Sequence, residues 1–241
     1  MTFANTTEPG NEQLIERIRK RIQSAGHITF AEFMEAALYD PDYGYYTTGR
    51  ETVGVGGDFV TSPIMHPAFG MTIAHWLESQ WQEMGSPKTF DVVEMGAGKG
   101  VLSAVILHYF SERNPELLKA VRYRIVEKRS QAEISPQVEI LDDPANIQDA
   151  SINGCVFSNE LIDAFPVHLV TVEGGRLREI FVSEKDGRFI EIAGEPSTPK
   201  IRRYFERLGI VELPEEYRTE VNLKALEWIK QMSLKLVKGS I

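Results

Sequence analysis

Apolar positions along this chain follow a helical period first and strand patterns later. Leu14, Ile15, Ile18 and Ile22 recur on one helical face, behind Asn11 as an N-cap and ahead of Gly26 as a stop. Thr29-Phe-Ala-Glu32 has the form of a capping box. It opens a second helix that carries Phe33, Met34, Ala37 and Leu38 as far as Asp40-Pro41. Phe69, Ile73, Trp76 and Leu77 predict a third helix, ending near Gly85-Ser-Pro87. Each stripe reads most simply as core. Between the second and third helices, Tyr39-Asp-Pro-Asp-Tyr-Gly-Tyr-Tyr46 and Val53-Gly-Val-Gly-Gly-Asp-Phe-Val-Thr-Ser-Pro63 show no clear period. Loops of that length are usually functional or disordered, and the tyrosines with Gly-Gly-Asp-Phe favour function.

The pattern changes at Phe90-Asp-Val-Val-Glu-Met95, a short run suited to a buried parallel strand. Gly96, Gly98 and Gly100 follow at alternate positions, and an apolar helix pattern starts at Val101 and runs to Phe110. A strand, a turn without side chains and a helix whose free N–H groups face that turn together form a nucleotide-type cradle. After the break at Asn114-Pro115, Val121-Arg-Tyr-Arg-Ile-Val-Glu127 predicts a second strand ending in an acid, which can accept both hydroxyls of a ribose. Val138–Leu141 is a short strand candidate. Cys155–Phe157 is another, and Ser158-Asn-Glu160 emerges from its carboxyl end, with Asp163 a helical turn later. Ligand crevices of open α/β sheets lie outside those ends. Asn159 and Glu160 have a plainer reading as the N-cap of the next helix.

From His168 to Glu195 the apolar residues alternate in period two, interrupted at Gly174-Gly175 and Asp186-Gly187, which predicts hairpins or a meander. Asn222–Lys238 reads as a helix. With 241 residues, 42% hydrophobic, the chain can bury one sizeable core with additions. A net charge of −9 without a basic tract makes nucleic acid a poor partner. The single cysteine, Cys155, fits a reducing compartment and a core position. No signal pattern or membrane-length run is present, so a cytoplasmic protein is expected. The five histidines show no metal-ligand spacing, and no metal is expected.

A dinucleotide fingerprint needs its third glycine where Val101 stands. The E-x-G-x-G-x-G form from Glu94 instead resembles motif I of class I S-adenosylmethionine methyltransferases. Glu127 does not separate the two cofactors, since both carry the ribose diol. A wider resemblance covers roughly residues 27–170. Ile28-Thr-Phe, Phe33-Met, Ala37-Leu-Tyr-Asp-Pro, Gly44-Tyr-Tyr46, Gly57-Asp-Phe-Val-Thr-Ser-Pro63, Phe69-Gly70, Val93–Gly100 and Asn159-Glu-Leu-Ile-Asp-Ala-Phe-Pro-Val-His168 occur in the order seen in the MidA-type methyltransferase family. One departure is Ile64-Met65-His66, where that family has Glu-Ile-Ser.

The resemblance implies a Rossmann-like α/β methyltransferase sheet with an N-terminal helical cap and a β-hairpin insertion. Its expected division is 1–87 for cap and lid loop, 88–166 for the cofactor-binding core, 167–221 for hairpin and connector, and 222–241 for a helix leading into a missing core strand. The sheet is therefore expected to be incomplete on its C-terminal side, with an unpaired edge beside Cys155–Phe157. The implied cofactor is S-adenosylmethionine, held by Glu94, Gly96, Ala97, Gly98, Gly100 and Glu127 together with Gly57, Asp58, Thr61, Ser62 and Pro63. Glu94 would orient the loop and the ligand's ammonium. The implied acceptor is an arginine of a protein substrate of the respiratory complex I subunit type. Glu160 would pair with the guanidinium, Asp163 is the second choice, and Asn159 would hold the reactive nitrogen or the cofactor. Gly57-Asp58-Phe59 and Tyr43–Tyr46 would close over the site as a lid. Two other readings stay open: a catalytically inactive assembly or binding module, and an NAD-dependent dehydrogenase.

Overall fold

Residues 10–48, 65–128 and 137–241 are described by a computed structural model. It divides the chain into two units, one built from 1–52 and 165–226 and the other from 53–164 and 227–241. The expected loop residues Gly57, Asp58, Phe59, Thr61, Ser62 and Pro63 lie outside the described residues.

In the first unit, Asn11 accepts from the Leu14 amide and starts the helix Glu12–Ala25, which Gly26 ends at φ 82°. The Thr29–Glu32 capping box forms as expected and opens the helix Phe30–Tyr39. Strands β1 (Ile28–Thr29), β6 (His168–Glu173), β7 (Arg176–Lys185), β8 (Arg188–Gly194) and β9 (Arg218–Val221) make one antiparallel sheet. Both hairpin turns have two residues at positive φ, Gly174-Gly175 and Asp186-Gly187, the conformation that suits the twist of the flanking strands. The 167–221 stretch forms the hairpins expected of the insertion. It shares its own sheet with the N-terminal strand, because β7 pairs with β1 through Ile28↔Val182. Ile18, Ile22, Ile28, Ala36 and Val182 form one core, and Val170, Ile201, Phe205 and Val221 a second. The helix Pro199–Arg207, which supplies two of these residues, has no counterpart in the sequence reading.

The tyrosine segment after Asp40 is a fastened turn of this unit. Arg17 donates to Asp40 and Asp42 and lies over the Tyr43 ring. Burial would raise the Asp40 carboxyl, but bonds from Arg17 and from the Asp42 and Tyr43 amides outweigh it and hold it below its ordinary value.

The second unit is a parallel sheet of β2 (Phe90–Met95), β3 (Val121–Val126), β4 (Val138–Leu141), β5 (Ile152–Ser158) and β10 (Leu236–Ser240), in the order β10-β5-β2-β3-β4. One face, with Phe90, Val92, Tyr123, Ile125 and Cys155, packs on the helices Ala68–Glu83, Val101–Arg113 and Pro115–Ala120. The other face, with Val93, Met95, Val126, Ile152 and Val156, packs on Ile147, Trp228 and Met232. Of the expected stripe, Phe69 and Ile73 are half-buried against the core of the first face and Leu77 is fully buried, while Trp76 is not part of it. Gly70, Ala74, Leu77 and Trp81 are buried and Trp76 is exposed. The cause is a close helix crossing, since a Cβ at Gly70 would stand 2.6 Å from the Val105 side chain.

The expected open edge beside β5 is also corrected. The C-terminal helix runs only from Leu223 to Lys235, and β10 follows at once, paired with β5 from Leu236↔Ile152 to Ser240↔Cys155. Buried Lys235 anchors this junction, its Nζ donating to the Ile147 carbonyl at 2.6 Å.

At the amino end of β2, Asp91 is 1% exposed. Its carboxylate accepts from Arg122 Nε (2.6 Å), Arg124 Nη2 (2.9 Å) and the Asn153 amide (2.9 Å), tying β2 to β3 and β5. Removing one partner of a buried ion pair typically costs ~3–5 kcal/mol because the other charge stays buried. Asp91→Ala should therefore lower the unfolding free energy by about that amount, read from denaturant midpoints, while exposed Asp142→Ala should change it by under ~0.5 kcal/mol.

Candidate active site

The site is built from the carboxyl ends of β2, β3 and β5, which lie level because Met95 pairs with both Val126 and Ser158. Beyond β2 the chain turns through Gly96, Gly98 and Gly100 at φ 72°, 55° and 71°, a backbone that side chains with a Cβ adopt only at a cost. Two of these glycines are needed for different reasons. At Gly96 a Cβ would meet Leu161 Cδ1 at 2.9 Å, so it is a packing glycine. At Gly98 a Cβ would meet no atom of the described residues within 4 Å, so among them that position faces open space. Gly100 caps the helix Val101–Arg113, and its carbonyl accepts from the Ala104 amide and the Ser103 hydroxyl. The first turn of that helix presents unbonded N–H groups and the positive end of its dipole.

Glu127 stands directly after β3. Its amide donates to the Leu141 carbonyl, and its Oε2 accepts from the Gly98 amide at 3.0 Å. The acid expected to receive a ribose thus also holds the glycine turn. A carboxylate offers about four acceptor positions, which suits a vicinal diol.

Glu94 faces the core beneath the turn and is 3% exposed. Tyr123 donates to it at 2.6 Å. Burial pushes the Glu94 carboxyl up to about 7, against the Tyr123 hydrogen bond and with the help of the Glu127 charge. Burial and Glu94 in turn hold the Tyr123 phenol well above its ordinary range. Tyr123 is the residue that sequence reasoning missed. Its signal was a hydroxyl-bearing side chain in an otherwise buried strand, since such groups are usually paired.

Beyond β5, Asn159 and Glu160 form a turn in which Glu160 takes a left-handed backbone, φ 53°. Glu160 is exposed, and so is Asp163 in the short 3-10 turn Ile162–Ala164 that stands where a longer helix was expected. Leu161 packs on Gly96 and locks this turn to the glycine turn. The structure therefore brings Gly96, Ala97, Gly98, Gly100, Glu127, Asn159 and Glu160 to one end of one sheet. Cys155 is buried in the same sheet, its thiol pushed up to about 12 by burial, in keeping with a core role. Among the described residues no group of His, Cys, Asp or Glu is placed to hold a metal ion. No helix among them is long and apolar enough to cross a membrane.

Amides, one carboxylate and an open backbone position fit a nucleoside-bearing ligand. Comparison with known proteins agrees with that chemistry. Residues 72–241 match the family described as "Putative S-adenosyl-L-methionine-dependent methyltransferase". The chain is 29% identical over 211 residues to the Drosophila melanogaster protein named protein arginine methyltransferase NDUFAF7 homolog, mitochondrial, covering 76% of this chain and 48% of that protein. The Mus musculus protein arginine methyltransferase NDUFAF7, mitochondrial, is 38% identical over 114 residues, 46% of this chain and 26% of its own. The chain thus spans half or less of the length of these relatives. Among solved structures, a COG1565 superfamily protein of Burkholderia thailandensis bound to S-adenosyl-homocysteine superposes with a TM-score of 0.77 at 28% identity, over 93% of this chain and 61% of that one.

The raised Glu94 carboxyl makes stability fall with pH. The folded chain keeps a proton that the unfolded chain releases near its ordinary value, so the contribution is full below about pH 4.5 and is lost as pH rises through about 7. Glu94→Gln should match the parent near pH 4.5 and exceed it by roughly 2–3 kcal/mol at pH 8. Equal pH slopes for the two proteins in urea unfolding would refute this.

Proposed function

The chain belongs to this S-adenosyl-L-methionine-dependent methyltransferase family, and we propose that it transfers a methyl group from S-adenosylmethionine to a guanidinium nitrogen of a protein arginine. The observation that carries the reading is the glycine turn, open at Gly98 and held by Glu127 beside a helix N-terminus. The cofactor, when bound, supplies an electrophilic methyl on a sulfonium. The residues of the chain bind and orient. Gly98 lets the backbone approach the ligand, and Glu127 accepts from the ribose hydroxyls.

A guanidinium is a poor nucleophile because its lone pair is delocalised and it is cationic, so positioning supplies most of the acceleration. Glu160, exposed on the neighbouring turn, would pair with it in bidentate fashion and fix its orientation. Asp163 would assist, and Asn159 would hold the reactive nitrogen or the cofactor. The left-handed backbone at Glu160 supports a functional role, since a non-glycine residue kept there carries a conformational cost. The arginine acceptor is supported by the names of the Drosophila and mouse relatives. Those names also place the relatives in mitochondria and lend no support to the cytoplasmic expectation. The reading as an inactive binding module was favoured by the core strand expected to be missing at the C-terminal side, where β10 pairs with β5.

Calorimetry should show S-adenosylmethionine and S-adenosylhomocysteine binding to the 241-residue chain. Gly98→Val should weaken both by more than ~10-fold, because a β-branched residue is strained at that φ. Glu160→Gln should keep cofactor affinity within a few-fold and lose at least ~100-fold in label transfer to arginine substrates. A folded chain that binds neither ligand, or transfer untouched by Glu160→Gln, would sink the assignment.

A further inference from the structure

Two carboxylates flank the glycine turn, and only one of them is exposed to the partners a carboxylate usually needs. Glu94 ends β2 opposite Ile125, and Glu127 stands two residues beyond Ile125 on the neighbouring strand. Glu127 is hydrogen-bonded to the turn itself. Glu94 is buried beneath it, with Tyr123 as its hydrogen-bond donor. The surroundings of Glu94 are mostly apolar. β3 contributes Tyr123, with Glu127 beyond it, and β5 contributes Phe157, which pairs with Glu94. Leu102 of the helix Val101–Arg113 joins the same core, with the positive end of that helix dipole above it. Phe69 and Ile73 of the helix Ala68–Glu83 pack on that core, and Lys99 is the charged residue within the turn. Asp91 and its two arginines sit on the opposite face of the sheet. A buried acid next to a second acid, with no cation paired to it, keeps its proton.

We infer that Glu94 is a specificity-determining residue that makes this site prefer the cationic methyl donor over the neutral spent product. The inference rests on the methyltransferase reading above. Donor and product differ by one positive charge at sulfur and share their nucleoside, ammonium and carboxylate. A fixed positive charge beside two carboxylates favours ionising both. When the donor binds, Glu94 gives its proton to solvent and the site gains an anion. Once the methyl has left, the charge is gone, Glu94 takes a proton back, and the product is held less tightly. The raised carboxyl of Glu94 agrees with this geometry. By linkage, donor affinity then rises with pH across the range in which Glu94 keeps its proton in the free protein, while product affinity stays flatter.

The test is calorimetric titration of both ligands into the full 241-residue chain between pH 6 and pH 8, in phosphate and in Tris. The two buffers have different ionisation enthalpies, so the protons released are counted directly. The α-amino group titrates at lower pH in the donor than in the product, because the sulfonium charge lies close to it, and Glu94→Gln carries that contribution alone. In the parent, the donor should release about half a proton more than the product at pH 7. The part of its preference over the product that comes from Glu94 should grow roughly fivefold from pH 6 to pH 8, for a one-unit coupling. Glu94→Gln should lose the Glu94 share of both effects and keep only what the ligands' amino groups contribute. Tyr123→Phe removes a bond that favours the anion, so it should move the whole profile to higher pH. It decides the matter if Glu94→Gln does not fold. Parent and Glu94→Gln with the same proton count, or an unmoved profile in Tyr123→Phe, would overturn the inference and leave the methyltransferase reading standing. Failure of both ligands to bind folded parent protein would overturn both.

Discussion

The clamp on Asp91 is the constraint from which the second unit follows. One buried carboxylate, bonded to two arginines of β3 and to the Asn153 amide, fixes the amino end of β2 against both neighbours. Gly154 makes the fit possible, because a Cβ there would stand 2.0 Å from the Asp91 carbonyl oxygen. Once Asp91 is set opposite Arg122 and Gly154, each later residue of β2 has a determined partner. The three strands then end level. The glycine turn, Glu127 and the Asn159–Glu160 turn emerge side by side as a consequence of register, and a slip of one residue would send each side chain to the other face.

β2 thus carries two buried acids that are treated in opposite ways. Asp91 lies on the face with Val93 and Met95 and pairs with two arginines. Glu94 lies on the face with Phe90 and Val92 and meets a phenol and a second acid. The first acid holds the sheet together. Burial raises the carboxyl of the second, and the same burial makes it sensitive to any charge added nearby.

The antiparallel unit shows the same economy with buried polar groups. Glu179 is fully buried on β7, and it accepts from the Ser197 amide and pairs with His168 at 2.7 Å. Those bonds outweigh the burial that would otherwise raise its carboxyl. Glu215 similarly holds the Gly174-Gly175 turn by accepting from both amides. In each case a residue distant in sequence completes a turn or sheet that local patterning began.

Local order was legible in the chain because it depends on neighbours a few residues apart. The Asn11 and Thr29 caps, the strand–glycine–helix passage from Phe90 to Phe110, the acid after β3 and the two glycine-bearing hairpin turns all form as their spacing implied. Where the sequence misled, distant segments decided. Trp81 rather than Trp76 is buried because Gly70 meets Val105 across a helix crossing. The β5 edge is paired because Lys235 reaches the Ile147 carbonyl and delivers β10 to it. The strand, glycine turn and helix from Phe90 to Phe110 were thus legible through periodicity and backbone sterics, and the Rossmann-like sheet through the family resemblance. The proton on Glu94, the grip of Glu127 on Gly98 and the level strand ends were decided only in three dimensions. Burial and charge at a residue depend on which other strands fold against it, and spacing along one chain carries no record of that.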